Sequence, residues 1–211
     1  MSTELDVSQI TQPMSAPTAV RHQRSDARRN RELVIAAARK CMARDGLDAQ
    51  MEEIARCAGV GVGTVYRHFP TKDELIHGLA RARFARLAEL ASEALEVEDP
   101  WKAFEGLMRA SARIQSEDRA LSEVLVSRPQ TMRAAAEGSG ILDLTAKVMR
   151  RAQRAGVLRK DAHPTDVPMV MCALAGTARN EKMDPDRYIG IVLDGLRASG
   201  APQAKLPRVD G

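Results

Sequence analysis

The sequence predicts an all-α chain, and three observations carry that reading. Ala, Leu, Arg, Glu and Met are abundant while aromatic residues make up only 3%, a bias toward helix formers and away from the Val-, Ile- and aromatic-rich strands of a β-sandwich. Apolar residues recur at three- and four-residue intervals in one segment after another, the signature of one-sided burial on helices. No segment alternates apolar and polar residues as a half-buried strand would. At 211 residues the chain is long enough for a sizeable core in one large or two small domains. About nine helices are expected.

Taken in order, residues 1–24 lack a period, contain Pro13 and Pro17, and read as a disordered N-terminal arm. A first helix is expected from Ser25 or Asp26, either of which has an oxygen to cap it. Val34, Ile35, Ala38, Cys41 and Met42 form its apolar face, and Gly46 closes it. Met51, Ile54, Ala55 and Ala58 share one face of a second helix, which Gly59 stops by taking the left-handed conformation without steric cost. Val62, Val65, Tyr66 and Phe69 repeat the spacing over about two turns until Pro70 disfavours helix at the residue before it.

Thr71 and Glu74 form a capping box that opens a long fourth helix through Ile76, Ala80, Phe84, Leu87, Ala91 and Leu95. Its roughly 24 residues span about 36 Å, at 1.5 Å each, enough to leave a small N-terminal unit and enter a second domain. Asp99-Pro100 is a cap with proline at the first helical position. Trp101, Phe104, Leu107, Met108, Ser111 and Ile114 then line one side of a fifth helix. A shorter helix is expected around 118–126, a helical turn at 131–136, and a flexible Gly138-Ser139-Gly140. Helices follow from 141 to 155, from Pro164 (Val167, Val170, Met171, Leu174, Ala175, Ala178), and from Asp184-Pro185 (Tyr188, Ile189, Val192, Leu193, Leu196). Residues 199–211 read as a flexible tail.

A helix, a glycine corner and a second short helix make a helix-turn-helix, whose second helix can enter the DNA major groove. The pattern IAxxAGVxxGTxYxHFxxKxxL from Ile54 to Leu75, together with Val34, Ile35, Ala37, Ala38 and Arg44-Asp45-Gly46 before it, closely resembles the DNA-binding domain of the TetR family of bacterial transcriptional regulators. The likeness covers roughly residues 28–78. It implies a three-helix DNA-binding domain over 25–78 and a helical ligand-binding and dimerisation domain over 79–198.

It also implies positions on DNA. Gly61 and Val62 stand where the family often has a capping Ser or Thr and a polar base-reader. Val62 therefore offers only apolar surface, such as a thymine methyl could meet. Gly63 would let the backbone approach DNA, and Thr64 has a hydroxyl and a methyl for a phosphate or base. Tyr66, His68 and Lys72 are phosphate candidates, as is Gln50 at the entrance of the second helix. Arg21, Arg24, Arg28, Arg29 and Arg31 stand against one acid, Asp26, between residues 21 and 31. Such a stretch suits salt-dependent contact along phosphates or in the minor groove, with Arg28 at the edge of the matched region.

Beyond residue 78 the resemblance fades. Phe104, Met108, Leu125, Met149 and Met171 are candidates for a pocket, because methionine adapts to varied ligands. Val170, Leu174, Ala178, Ile189, Leu193 and Leu196 of the last two helices are dimer candidates by family likeness. The implied partners are double-stranded DNA with a palindromic operator, a second copy of the chain and an unknown small-molecule effector. The sign of regulation is open: a repressor released by its ligand, or an activator or ligand-independent regulator. A helical binding module using the helix-turn-helix only for packing is the rival class.

Other classes find no support. The four histidines are scattered, and no HExxH, GxSxG or GxxxxGK[ST] occurs, so no enzyme is expected. Cys41, Cys57 and Cys172 form no CxxC or Cys/His cluster, so no disulfide framework, metal or cofactor is expected. With no long apolar run and no signal peptide, no membrane is involved and a cytoplasmic protein with reduced thiols is expected.

Overall fold

The structure, a computed structural model, describes residues 18–118, 121–122, 125, 127–177, 184–199 and 204–207. Among them the chain forms nine α-helices and one isolated antiparallel bridge, between Leu158 and Arg197. The helices are α1 (Thr18–Asp45), α2 (Met51–Ala58), α3 (Val62–His68), α4 (Lys72–Glu96), α5 (Pro100–Glu117), α6 (Pro129–Ser139), α7 (Ile141–Arg154), α8 (Asp166–Thr177) and α9 (Pro185–Leu196). Leu121, Ser122 and Leu125, inside the expected short helix, are helical.

Local signals place most boundaries. Gly59 adopts φ 67°, and the N–H groups of Gly59 and Val60 return to Arg56 and Ala55, closing α2. Thr71 Oγ1 accepts from Glu74 N–H at 3.2 Å at the start of α4. Asp99 Oδ1 accepts from the N–H groups of Trp101 (2.8 Å) and Lys102 (3.1 Å), with Pro100 next in the chain. Asp184 caps α9 through Asp186 N–H.

Three boundaries differ from expectation. α1 starts at Thr18 rather than at Ser25 or Asp26, so residues 18–24 are helical backbone. Pro17 is the last breaker before Gly46, and the arginines between them are good helix formers. The segment expected as a turn and a flexible glycine stretch is the continuous helix α6, with Gly140 (φ 73°) as the joint to α7. α8 begins at Asp166, not Pro164.

Two apolar cores form. The first joins α1–α3 and the start of α4 around Val34, Ala38, Met42, Ile54, Val65, Phe69, Leu75 and Leu79. The second gathers α5, α7, α8 and α9 against the distal half of α4, around Phe104, Met108, Met149, Leu158, Ile189 and Leu193. The cores are not independent, because Leu121, Leu125 and Ala135 belong to the first although they come from the second domain. Polar ties reinforce this seam: Arg128 to Asp73 at 2.6 Å, Thr131 to His77 at 3.3 Å, and Arg39 Nε to Asp118 Oδ2 at 3.0 Å. At the far end of α4, Arg151 of α7 donates to the carbonyl of Leu95, a group the helix leaves unpaired, and to that of Glu98 just beyond the helix.

Gly78 packs closely against the ring of Phe69. A Cβ there would lie 2.6 Å from Phe69 Cε1 and 3.2 Å from Ile35 Cδ1. Phe69 is fully buried, with the Arg31 guanidinium 5.0 Å from its ring centroid. Gly78→Ala would gain up to about 1 kcal/mol in helix propensity, but overpacking a core costs about 1–3 kcal/mol, and 2.6 Å against a ring edge is a severe overlap. The expected outcome is a net loss of roughly 1 kcal/mol or more in urea melts. A variant more stable than the parent would show that Phe69 moves aside freely.

Candidate nucleic-acid interface and internal cavity

The second helix of the motif has seven residues and splits cleanly into two faces. Val65 and, just beyond it, Phe69 point inward and are buried, while Gly61, Val62, Gly63, Tyr66 and Arg67 are exposed and Thr64 is half-buried. Gly61 takes the N-cap place with ordinary extended dihedrals and, lacking a side chain, makes no cap bond. Neither Gly61 nor Gly63 has a positive φ, and a Cβ built on either would meet nothing within 4 Å. The fold itself therefore does not require glycine at these two positions.

The other expected contact residues sit around this face, already engaged with protein. Tyr66 Oη donates to Glu52 Oε1 at 3.1 Å, and that bond holds the phenol above its ordinary pKa. Lys72 Nζ donates to the Leu47 carbonyl, fastening the 3-10 turn Gly46–Asp48 to the start of α4. Gln50 stands at the N-cap of α2 without capping it, its amide donating instead to the Asp48 carbonyl at 2.8 Å. Arg28 lies inside α1, exposed, with Glu32 one turn on at 3.7 Å.

His68 differs from the rest: its Nε2 is buried without a hydrogen-bond partner. Burial first, then the charges of Arg67 and Arg31, hold its pKa below the usual value. The folded protein thus resists protonating His68 while the unfolded chain accepts the proton near pH 6.5. Stability from this residue is fully present above that pH and is lost as pH falls from there through the lower pKa of the folded state.

Between α4 and α5–α8 lies a cavity of about 270 Å³. Of the expected pocket residues, Leu125 and Met171 line it. Phe104, Met108 and Met149 do not; they are packed at 0–1% exposure in the second core. The helical period marks all of them as inward-facing but cannot separate close packing from a wall. Among the wall residues missed is a polar group, Arg83, Ser111, Gln115 and Ser122. Arg83 is 8% exposed and donates through Nη1 to Ser122 Oγ at 2.8 Å and through Nη2 to Gln115 Oε1. Burial pulls its guanidinium below the ordinary value, and Asp118 opposes that. The readable signal was an arginine set between Ile76, Ala80 and Leu87 in the apolar stripe of α4.

The expected dimer residues lie mostly inside the single chain. Leu174, Ile189, Leu193 and Leu196 are buried within the monomer and Val170 packs against that core, while Ala178 lies outside the described residues. Both helices are apolar on two sides, so periodicity alone could not say which side faces inward. The side left open carries Met169 at 70% and Ile191 at 62% exposure, with Cys172 and Ala173 exposed beside Met169 on α8.

One consequence concerns His68. The urea midpoint of the parent should fall between pH 7 and pH 5.5, and His68→Gln should flatten that fall, since the other three histidines are common to both proteins. Parallel pH profiles would remove His68 as the titrating group.

Comparison with known proteins places this arrangement. Residues 34–79 match the family described as bacterial regulatory proteins, tetR family, and residues 99–198 match the SbtR-like transcriptional regulator C-terminal domain. A crystal structure of a TetR transcription regulatory protein from Mycobacterium vanbaalenii is 35% identical, covering 83% of this chain and 99% of that one, with a TM-score of 0.64. The TetR transcriptional regulator SCO0520 from Streptomyces coelicolor is 30% identical over 81% of this chain and 99% of its own, at a TM-score of 0.63. The HTH-type transcriptional repressor Rv1474c of Mycobacterium tuberculosis is 29% identical over 176 residues, 80% of each protein. These relatives are regulators of transcription rather than enzymes. With its helix-turn-helix, its all-helical second domain and these likenesses, the chain belongs to the TetR family of bacterial DNA-binding transcriptional regulators.

Proposed function

We propose that the protein is a homodimeric repressor that leaves a palindromic operator when a small ligand fills the cavity between α4 and α5–α8. One observation carries the reading: three cavity residues, Phe84, Leu125 and Met132, also pack on the core of the DNA-binding domain. A ligand that shifts those side chains acts directly on the seat of α1 and α4. Its effect on DNA affinity equals the difference in its own affinity for the two arrangements.

On DNA, α3 enters the major groove with Gly61, Val62, Gly63 and Thr64 toward the bases and backbone. Tyr66, Lys72 and Gln50 lie along the phosphates. Glycines that the fold does not need are explained by what must come close from outside. Tyr66 and Lys72 exchange their present protein partners for phosphate oxygens, a cheap exchange because exposed hydrogen bonds and ion pairs contribute little net stability. His68 packs rather than touches DNA, because its Nε2 is turned inward and buried. Arg28 supplies charge along the backbone from α1.

In the dimer, the open sides of α8 and α9 pair about a two-fold axis through Met169, Ala173 and Ile191. This sets two recognition helices about one DNA turn apart, roughly 34 Å. Footprinting on the DNA upstream of its own gene should then reveal two symmetric half-sites, and deleting the gene should raise transcription from that promoter. A fall in transcription would make the protein an activator instead.

Gly63→Ala separates fold from function in the same assay. Replacing a helical glycine should raise stability by about 1 kcal/mol, yet lower operator affinity about tenfold, which is about 1.4 kcal/mol. Unchanged affinity would mean that DNA does not approach this point of the backbone.

The dimer face has its own check. Met169→Glu combined with Ile191→Glu should yield a folded monomer by light scattering, because both side chains are exposed in the single chain. Leu193→Glu should instead unfold the protein, since it buries a carboxylate in the core. A double variant that stays dimeric would move the interface elsewhere.

A further inference from the structure

We propose that the ligand of the cavity is an amphipathic anion, a small molecule with an apolar body and one carboxylate, and that the carboxylate docks on Arg83. This deepens the reading of the cavity as an effector site and rests on it. The cavity wall is apolar over most of its extent, with Phe84, Leu87, Leu107, Ile141 and Val167 among its residues. A fixed positive charge sits inside it: Arg83 is 8% exposed, and its Nε is buried with no hydrogen-bond partner. The two groups it does bond, Ser122 and Gln115, are both neutral.

No carboxylate among the described residues lies within ion-pair distance of Arg83 or on the cavity wall. Among the described residues the carboxylate that acts on Arg83 is Asp118, whose Oδ2 lies 3.0 Å from Arg39 Nε on α1. The second cation on the wall, Arg133, is already held by Glu137 at 2.8 Å.

These facts select among ligand classes. A buried charge left without a counter-charge is costly, so a purely apolar ligand that displaces water would leave Arg83 worse off. A cation would meet two arginines and no acid among the described wall residues. An anion with an apolar body satisfies both parts of the wall, and a volume of about 270 Å³ holds one modest molecule. Its arrival also adds a competitor for the field of Asp118, the residue that ties this domain to α1 through Arg39.

Calorimetry on the full chain without DNA would test this with matched pairs differing only in head group: octanoate and octanol, decanoate and decanol, 2-naphthoate and 2-naphthol. At least one carboxylate should bind about tenfold or more tightly than its alcohol. Arg83→Gln, checked for helix content by circular dichroism, should abolish that preference while still admitting the alcohol. If the variant does not fold, the paired comparison on the parent decides alone. Equal or tighter binding of the alcohols, or no binding by any carboxylate, would overturn the proposal. Operator release, followed separately by anisotropy, isolates the underlying reading. Carboxylate-selective binding without release keeps the anion site and removes the ligand-released repressor. Release by a neutral compound with no carboxylate preference does the reverse.

Discussion

The seat of Phe69 is the constraint on which the DNA-binding end depends. A helix of seven residues is far too short to persist in water by itself, so α3 exists because its two inward anchors are held. Val65 and Phe69 are both buried in the core that α1 and α4 share, and the missing side chain of Gly78 leaves room for the Phe69 ring. The ring is closed from the other side by Arg31. Because Gly78 lies on α4, the orientation of α3 depends on the same helix that enters the second domain.

That shared element makes the two domains one mechanical system. α4 contributes Leu75 and Leu79 to one core and Ala88 and Ala91 to the other. Between these pairs come Arg83, Phe84 and Leu87, on the cavity wall. Packed interiors transmit displacement because they have few voids to absorb it. Three contacts join the surroundings of the cavity to the DNA-binding end: apolar packing of Leu125 and Met132, the Arg39–Asp118 pair to α1, and the Asp73–Arg128 pair to the start of α4.

Electrostatics on the outer face work by a different logic. Arg44 is held by Asp45 and Glu53, Arg56 shares Glu53, and Tyr66 rests on Glu52. Such exposed pairs contribute little to stability and cost little to break. The contrast with Arg83 is one of solvent: the same guanidinium is a negligible cost on the surface and a demand for a partner in the interior.

The sequence by itself determined whatever rests on neighbouring residues. Gly59 ends α2, Thr71 and Asp99 start α4 and α5, and the Ile54–Leu75 pattern identifies the helix-turn-helix, because caps, breakers and a short motif act within a few residues of chain. It misplaced the start of α1, where no breaker stands between Pro17 and Gly46, and broke α6 at Gly138, a glycine that the helix accommodates. Only the tertiary structure decided which apolar side of α8 and α9 turns inward, that Met108 and Met149 are packing rather than wall, and that Gly78 is a seat for Phe69. Those outcomes depend on which distant helix lies opposite. A period of 3.6 residues marks a stripe for burial but carries no information about what that stripe will meet.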